Sequence, residues 1–278
     1  MKKISLVILL FCTGLFVFAA GSQENKAGFS GDYAFGGSTT VEPIVLAAIE
    51  EFTEVYPDVR ISYDSQGSSV GVKGVLSGIY SLGGASRELK SSETESGAKS
   101  IAIALDGVAV IVNKESVNLD NLTLEDTAKI FAGEITNWKE VGGADSMIVV
   151  FNRDEASGTR DCFNGSVIKM MKKKFTNAAA IVTSNGDMVS KVGSTPNAIG
   201  YCGFGYISKN PGTKAISVNT VLPEMPNVLN KTYPVSRQLN IVYKGTLAEG
   251  SLEKAFVDYL LSKDGQIIVK EEKFIPLN

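Results

Sequence analysis

The sequence predicts an α/β fold, because short apolar runs with the length of strands alternate along it with segments of helical periodicity. Of its 278 residues, 44% are hydrophobic and 21% are charged, which is the composition of an ordinary globular chain rather than of a disordered one. Several of the predicted strands end in Gly with small hydroxylated residues, directly before a helix. We therefore expect mostly parallel sheets covered by helices, in one large domain or two medium ones.

The first half of the chain alternates strand and helix patterns. Residues 41–56 carry apolar side chains at helical spacing and stop at Pro57, which does not continue a helix. Residues 101–112 form a long apolar run, typical of a strand, that is interrupted at Asp106-Gly107. The predicted elements are a strand ending at 36–37, a helix over 41–56, a strand over 59–63, a helix over 70–76, and strands over 82–85 and 101–112.

A second unit is predicted to begin near Asn113. Its first helix, over 123–131, starts with Thr123 and Asp126 at the spacing of a capping box. Residues 209–237 contain four prolines and little periodicity, so no element is assigned there. The other predicted elements are a strand over 147–151, a helix over 158–171, a strand, a short helix and a Gly-rich pair of buried strands over 180–207, a strand over 239–243, and a helix over 252–261.

The amino terminus has the pattern of a secretory signal peptide. Residues 1–20 carry two lysines, an apolar run too short to span a membrane, and small residues that offer a cleavage site. We expect an exported protein, periplasmic or at the cell surface, in which residues 21–30 are a linker. Lipid attachment at Cys12 remains an alternative, although Phe11 stands where lipidation motifs have a small residue.

Composition excludes several classes of function. The chain has no His, which removes Ser-His-Asp and Cys-His catalysis and His-ligated zinc. Its net charge is −3 and its longest basic run is 172–174, so we expect no nucleic-acid partner. Cys162 and Cys202 remain after cleavage, and their spacing leaves a disulfide and two separate thiols equally open.

Three segments combine Gly with hydroxylated residues at the start of a predicted helix. Such a start presents unpaired N–H groups and hydroxyls to an anion, although ordinary helix capping explains any one segment alone. Arg153, four residues before the third segment, adds a guanidinium fork suited to two oxygens of a tetrahedral oxyanion. The segments are residues 37–40, 67–69 and 157–159.

A serine hydrolase is the alternative from another class. Residues 67–71 match G-x-S-x-G between a predicted strand and helix, with Ser69 as the nucleophile. No His is present to activate Ser69, and a Ser-Lys mechanism would need a partner such as Lys73, which lies on the following helix, while the other motifs of that class are absent. We therefore favour a binding protein over an enzyme.

A group of motifs resembles the PstS-like phosphate-binding proteins of ABC transporters, in order and in spacing, from about residue 33 to the carboxyl terminus. The motifs are GGSTTVEPI (36–44), SQGSSVGVKGVLSG (65–78), GGASRELK (83–90), ALDGVAVIVN (104–113), IFAGEITNWKEVGG (130–143), RDEASGTRDCF (153–163) and AIGYCGFGYI (198–207). The resemblance implies a two-lobed periplasmic-binding-protein fold of class II type, with the ligand in the interdomain cleft. One lobe would comprise residues 28–112 and 238–278, and the other residues 113–237.

The resemblance also implies the ligand and its contacts. Inorganic phosphate would be held by donors from both lobes and delivered to a membrane ABC permease, by a monomer that needs no metal or organic cofactor. Sulfate or molybdate remains the alternative ligand. The expected phosphate ligands are Thr39, Thr40, Ser68, Asp106, Arg153, Ser157, Gly158 and Thr159, with Ser38, Ser69 and Arg87 as further candidates.

Known members of the family use a carboxylate to accept the phosphate proton, and one branch has Asp directly after the GAS triplet. This chain has Arg87 there, so the acceptor must come from elsewhere. We predict Asp106, because an Asp inside an apolar strand requires a local reason; a bulge at Asp106-Gly107 is the competing explanation. Glu42 and Glu88 are rival acceptors. Arg87 is expected either to balance Asp106 or to reach the phosphate.

Overall fold

The computed structural model describes residues 28–277. The predicted signal peptide, Cys12 and most of the predicted linker lie outside the described residues. Within residues 28–277, no helix is both long enough and apolar enough to cross a membrane.

One half of the structure, which we call the first lobe, is built on a five-stranded sheet in the order β2-β1-β3-β10-β4. Its strands are β1 (Gly31–Gly37), β2 (Val59–Asp64), β3 (Leu82–Ala85), β10 (Ser236–Lys244) and the first part of β4 (Ala98–Asn113). β1 is parallel to β2 and β3, but β10 is antiparallel to β3 and β4. The sheet is therefore mixed. The prediction of mostly parallel sheets was wrong for β4 and β10, the two strands that carry the chain from one lobe to the other.

The second lobe continues the sheet from the other part of β4. β8 and β9 pair antiparallel with β4, β6 lies parallel to β8 and β7, and β5 lies parallel to β9. These strands are β5 (Asn121–Leu122), β6 (Val149–Arg153), β7 (Ala180–Val182), β8 (Ala198–Gly203) and β9 (Thr213–Val218).

Strand β4 joins the two lobes without a break. Residues 98–107 pair with β10, whereas residues 108–113 pair with β8 and β9. The change of partner falls at Gly107, which pairs with Ser236, where the chain returns to the first lobe. The lobe limits at 112/113 and 237/238 remain predictions.

Helices cover both lobes, and most begin where a helix was predicted. In the first lobe they are α1 (Glu42–Val55), α2 (Ser68–Ser77), α3 (Ser91–Glu95), α8 (Leu252–Leu261) and α9 (Lys263–Glu271). In the second lobe they are α4 (Leu124–Ala132), α5 (Gly158–Phe163), α6 (Asn185–Ser194) and α7 (Met225–Leu229). The helix predicted over 158–171 is α5 followed by a π-helical stretch over Asn164–Lys169.

Three expectations about local structure were incomplete or wrong. The Pro-rich segment 209–237 holds β9 and α7, although it carries no clear periodicity. Helices α3 and α9 and the short strand β5 were not predicted. The second member of the predicted Gly-rich strand pair is a 3-10 helix, Phe204–Lys209, which begins with Phe204, whose ring lies against Gly107 at the strand crossing.

The core is continuous through both lobes. In the second lobe, the ring of Tyr201 stacks on Phe163 with centroids 4.2 Å apart. Trp138 is buried, as expected for a packed aromatic, and its indole N–H donates to the Asn197 carbonyl at 3.0 Å. Cys162 and Cys202 are both free cysteines.

Candidate functional site

The three Gly-hydroxyl segments meet in the cleft between the lobes. Segments 37–40 and 67–69 belong to the first lobe, and segment 157–159 belongs to the second. Thr40 Oγ1 lies 3.1 Å from Thr159 Oγ1, and the Ser68 and Ser86 hydroxyls lie directly against the Cα of Gly158. Segments that are far apart in the sequence therefore form one site.

Two serines of the site accept backbone N–H groups near helix starts. Ser157 Oγ caps α5 by accepting the Arg160 N–H at 3.1 Å, and Ser38 Oγ accepts the N–H groups of Thr40 and Val41, at 3.1 and 3.4 Å, in the turn that precedes α1. Capping thus accounts for part of the sequence pattern. In the described part of the chain, the other site hydroxyls make no such capping bond; they belong to Thr39, Thr40, Ser68 and Thr159.

Arg153 is the charged centre of the cleft. It ends β6, is 1% exposed, and its Nη2 donates to the Thr183 carbonyl at 2.8 Å and to Thr39 Oγ1 at 3.4 Å. Within residues 28–277, its Nε and Nη1 have no hydrogen-bond partner and no carboxylate pairs with it. Burial lowers the pKa of Arg153. Because a buried cation without a partner is energetically unfavourable, this arrangement favours the binding of an anion beside Arg153.

Asp106 is wholly buried at the crossing of β4, where it pairs with Arg237. Its Oδ2 accepts from Arg237 Nη2 at 2.7 Å and from Nε at 3.0 Å, and its Oδ1 accepts the Phe204 N–H at 3.0 Å. Burial raises the pKa of Asp106, and the charge of Arg237 opposes that rise. The cation that balances Asp106 is therefore Arg237 and not Arg87.

Arg237 and Asn185 reach the same threonine from opposite sides. Arg237 Nη2 donates to Thr40 Oγ1 at 3.2 Å, while Asn185 Nδ2 donates to Thr40 Oγ1 and Thr39 Oγ1, both at 2.9 Å. Asn185 begins α6 in the second lobe and is fully buried. Hydrogen bonds between the lobes thus converge on the two threonines.

Comparison with known proteins identifies the family. Residues 20–264 match the family model of a PBP superfamily domain. The chain is 35% identical to the phosphate-binding protein PstS of Borreliella burgdorferi, over 99% of both chains, and 33% identical to PstS of Bacillus subtilis, over 100% of this chain and 95% of the relative. This chain belongs to the PstS-like family.

Solved structures agree with that assignment. A putative phosphate ABC transporter substrate-binding protein with bound phosphate from Clostridium perfringens is 40% identical, with a TM-score of 0.83, over 89% of this chain and 100% of that one. PstS from Borrelia burgdorferi is 36% identical, with a TM-score of 0.59, over 88% of this chain and 98% of that one. The two-lobed fold expected from the motifs is confirmed.

In this PstS-like chain, Arg87 lies at the edge of the cleft in an ion-pair cluster. Its Nη1 and Nη2 hold both oxygens of Glu93, at 2.8 and 2.7 Å, and Nη2 also donates to Ser69 Oγ at 3.2 Å. Its Nε lies 3.0 Å from Asp161 Oδ2, in the second lobe. Arg87 therefore connects the lobes through carboxylates.

The other residues proposed from the sequence, as proton acceptors or as hydrolase residues, lie outside the buried group around Arg153 and Asp106. Glu88 is exposed and Glu42 is half-buried. The Ser69 hydroxyl oxygen accepts a hydrogen bond from Arg87 Nη2 rather than pairing with a base, and Lys73 is exposed on α2. The PstS-like relatives are named as binding proteins, and nothing in this geometry favours the hydrolase alternative.

Sequence reasoning missed Arg237 and Asn185. Arg237 is the last residue of the aperiodic Pro-rich segment, and Asn185 stands directly after Ser184, which caps α6, so both residues look like ordinary loop and helix-start positions. The available signal was indirect: an Asp inside an apolar strand requires a buried cation. Ser86, whose N–H donates to Ser68 Oγ at 3.0 Å, was likewise not predicted.

Proposed function

We propose that this chain is an exported binding protein that captures inorganic phosphate in the cleft and delivers it to an ABC-type permease. The relatives from Borreliella burgdorferi and Bacillus subtilis are named phosphate-binding proteins, and one similar structure holds phosphate. The observation that carries the proposal is the buried guanidinium of Arg153, which comes from the second lobe, donates to the Thr39 hydroxyl of the first lobe, and has no anionic partner among the described residues.

The proposed ligand set keeps the residues predicted from the sequence except Arg87, whose guanidinium is held by Glu93 and Asp161. Hydroxyls and backbone N–H groups from both lobes, with Arg153, would surround a tetrahedral anion. These ligands are Thr39, Thr40, Ser68, Arg153, Ser157, Gly158 and Thr159, with Ser38 and Ser69 as additional hydroxyls. Because donors come from both lobes, only the closed form binds the anion fully, and ligand binding therefore favours closure.

Asp106 is the proposed acceptor of the phosphate proton. It is the one fully buried carboxylate among residues 28–277, and its partner Arg237 bonds to the site residue Thr40. Hydrogen phosphate has a proton to donate, whereas sulfate at neutral pH has none. A buried carboxylate near the anion therefore favours phosphate.

The protein would act outside the cytoplasm, in the periplasm or at the cell surface, as a monomer that catalyses no reaction, with lipid anchoring at Cys12 as the alternative. The predicted signal peptide supports export, and the relatives' names support a binding role rather than catalysis. The permease is a separate membrane protein that would recognise the closed, loaded form.

The test is calorimetric titration of the phosphate-stripped mature protein with phosphate and then with sulfate. We expect tight phosphate binding and no heat from sulfate. Arg153→Met should weaken phosphate binding at least about a hundredfold, because it removes a desolvated charge that meets the anion. Arg60→Met is the matched control, since Arg60 pairs with Asp32 on the surface of the first lobe and its loss should leave binding normal. A wild-type protein that binds neither anion would refute the proposal.

A further inference from the structure

We propose that Asn185 is a positioning residue that orients the hydroxyl protons of Thr39 and Thr40, so that Thr39 donates to the anion directly and Thr40 donates to Thr159, which in turn donates to the anion. This inference rests on the proposed function and adds a residue that lies in none of the predicted ligand segments. It follows from counting donors and acceptors around three buried hydroxyls.

The orientation of the Asn185 amide is fixed by a backbone group. Its Oδ1 accepts the Gly203 N–H at 3.2 Å, so its Nδ2 must face the threonines. The two hydrogens of Nδ2 then serve two oxygens, Thr39 Oγ1 and Thr40 Oγ1, both at 2.9 Å. An amide nitrogen has no lone pair to offer, so both threonines act as acceptors toward Asn185.

Thr40 is left with one direction for its own proton. A hydroxyl oxygen has two lone pairs and one hydrogen. Asn185 Nδ2 and Arg237 Nη2 are both donors, and together they occupy both lone pairs of Thr40 Oγ1. Its hydrogen must therefore point elsewhere, and Thr159 Oγ1 lies 3.1 Å away. Because Thr159 Oγ1 accepts the hydrogen bond from Thr40, its own hydrogen points into the cleft.

Thr39 is arranged in the same way. Its Oγ1 receives Asn185 Nδ2 at 2.9 Å and, at a longer 3.4 Å, Arg153 Nη2. Its hydrogen is then free to donate to a ligand. Thr39 and Thr159 thus reach the anion as oriented donors, and such preorganisation strengthens hydrogen bonds in a buried site.

Two substitutions test this role. Asn185→Leu removes the donor and lets both hydroxyls rotate, and we expect phosphate affinity to fall roughly tenfold. Asn185→Asp keeps an oxygen for the Gly203 N–H but replaces the donor with a carboxylate that draws the threonine protons away from the anion. For this variant we expect a loss of roughly a hundredfold at neutral pH.

The pH dependence of phosphate affinity distinguishes a positioning role of Asn185 from a general loss of structure in the variant. The acid introduced by Asn185→Asp regains a hydrogen as the pH falls through its pKa, and it can then donate to a threonine again. The deficit of Asn185→Asp relative to wild type should therefore narrow as the pH is lowered from about 8 to about 5. The charged and titratable groups around this position, in the described chain, are Arg153, Arg237, Asp106 and Tyr206.

Asn113→Asp is the matched control. Asn113 is also buried, its Nδ2 also donates to two oxygens, of Val192 and Gly193, and its Oδ1 also accepts a backbone N–H, from Ser116. It lies away from the cleft, so Asn113→Asp reports the effect of burying a carboxylate on folding alone. Circular dichroism of each variant establishes that it is folded before titration.

A double-mutant cycle completes the test. If Asn185 acts through the Thr39 hydroxyl, Asn185→Leu should cost less in a Thr39→Val background than in the wild type. Strict additivity, wild-type affinity of Asn185→Leu, or a pH-independent deficit of Asn185→Asp would each overturn the inference. These outcomes differ from failure of the proposed function, in which the wild-type protein itself binds no phosphate.

Discussion

At the scale of single residues, Gly158 shows how closely the two lobes approach each other. A Cβ atom there would overlap Ser68 Oγ and would lie 2.7 Å from Ser86 Oγ, both in the first lobe. The backbone of Gly158 is not in the left-handed region, so alanine is compatible with its local conformation. The constraint on this position therefore comes from the partner lobe.

Gly158→Ala should weaken phosphate binding about tenfold or more, because overpacking penalises the closed form while the backbone N–H is retained. Gly165→Ala is the control, since a Cβ at Gly165 meets nothing within 4 Å. Titration calorimetry of both variants checks the prediction. Equal affinities would mean that the lobes do not close as tightly in solution.

Asp106 illustrates a residue whose role depends on charge. Asp106→Asn should allow sulfate to bind, because an amide beside the anion neither repels it nor requires a proton from it. Asp120→Asn makes the same change in net charge at an exposed pair with Lys214 and should leave sulfate excluded. Competition of sulfate against phosphate measures both. Continued exclusion of sulfate by Asp106→Asn would remove Asp106 as the proton acceptor.

Among the elements, α9 shows how a helix can be held by one polar side chain. Gln266 is 7% exposed. Its Nε2 donates to the carbonyls of Ile103 in β4 and Leu260 in α8, both at 2.9 Å, and its Oε1 accepts the Leu277 N–H at 2.7 Å. A single amide thus joins a strand, a helix and the carboxyl-terminal segment.

Gln266→Leu should lower the free energy of unfolding by about 1–3 kcal/mol, because it leaves buried carbonyl and N–H groups without partners. Ile267→Ala, on the exposed side of the same helix, should change it by no more than about 0.5 kcal/mol. Urea denaturation measures both values. A Gln266→Leu variant as stable as wild type would show that water satisfies these groups.

Across the molecule as a whole, an ion-pair cluster joins the lobes beside the cleft. Arg87 Nε and Lys90 Nζ, in the first lobe, lie 3.0 and 3.6 Å from Asp161 Oδ2, in the second. Burial opposes ionisation of Glu93, but hydrogen bonds from Arg87 and the Lys90 N–H lower the Glu93 pKa overall. Its contribution to the cluster is therefore present above the ordinary Glu pKa and is lost only as the pH falls through the lowered value.

Asp161→Asn should speed phosphate release roughly tenfold and leave association nearly unchanged, because the ion pair exists only after closure. Asp32→Asn, which breaks a pair contained within the first lobe, is the control. Release of labelled phosphate into an excess of unlabelled phosphate gives the rate. Identical rates for the two variants and wild type would mean that the cluster does not hold the closed form.

Local features of this protein could be predicted from its sequence alone. Helix α1 follows from apolar spacing ended by Pro57, and the Gly-hydroxyl segments indicate helix starts whose amides are unpaired. The seven motifs between residues 36 and 207 also identified the family, since each preserves chemistry within a few neighbouring residues and their order and spacing are specific in combination. These features depend on interactions within one or two turns of chain.

The pairing of distant groups, in contrast, depends on the tertiary structure. Arg237 pairs with Asp106 across 131 positions, and Asn185 bonds to Thr39 across 146. The antiparallel β10 and the 3-10 helix at Phe204 are likewise set by their neighbours in the fold. Nothing near these residues in the sequence specifies a partner, because burial and charge compensation arise only when the two lobes enclose the same space.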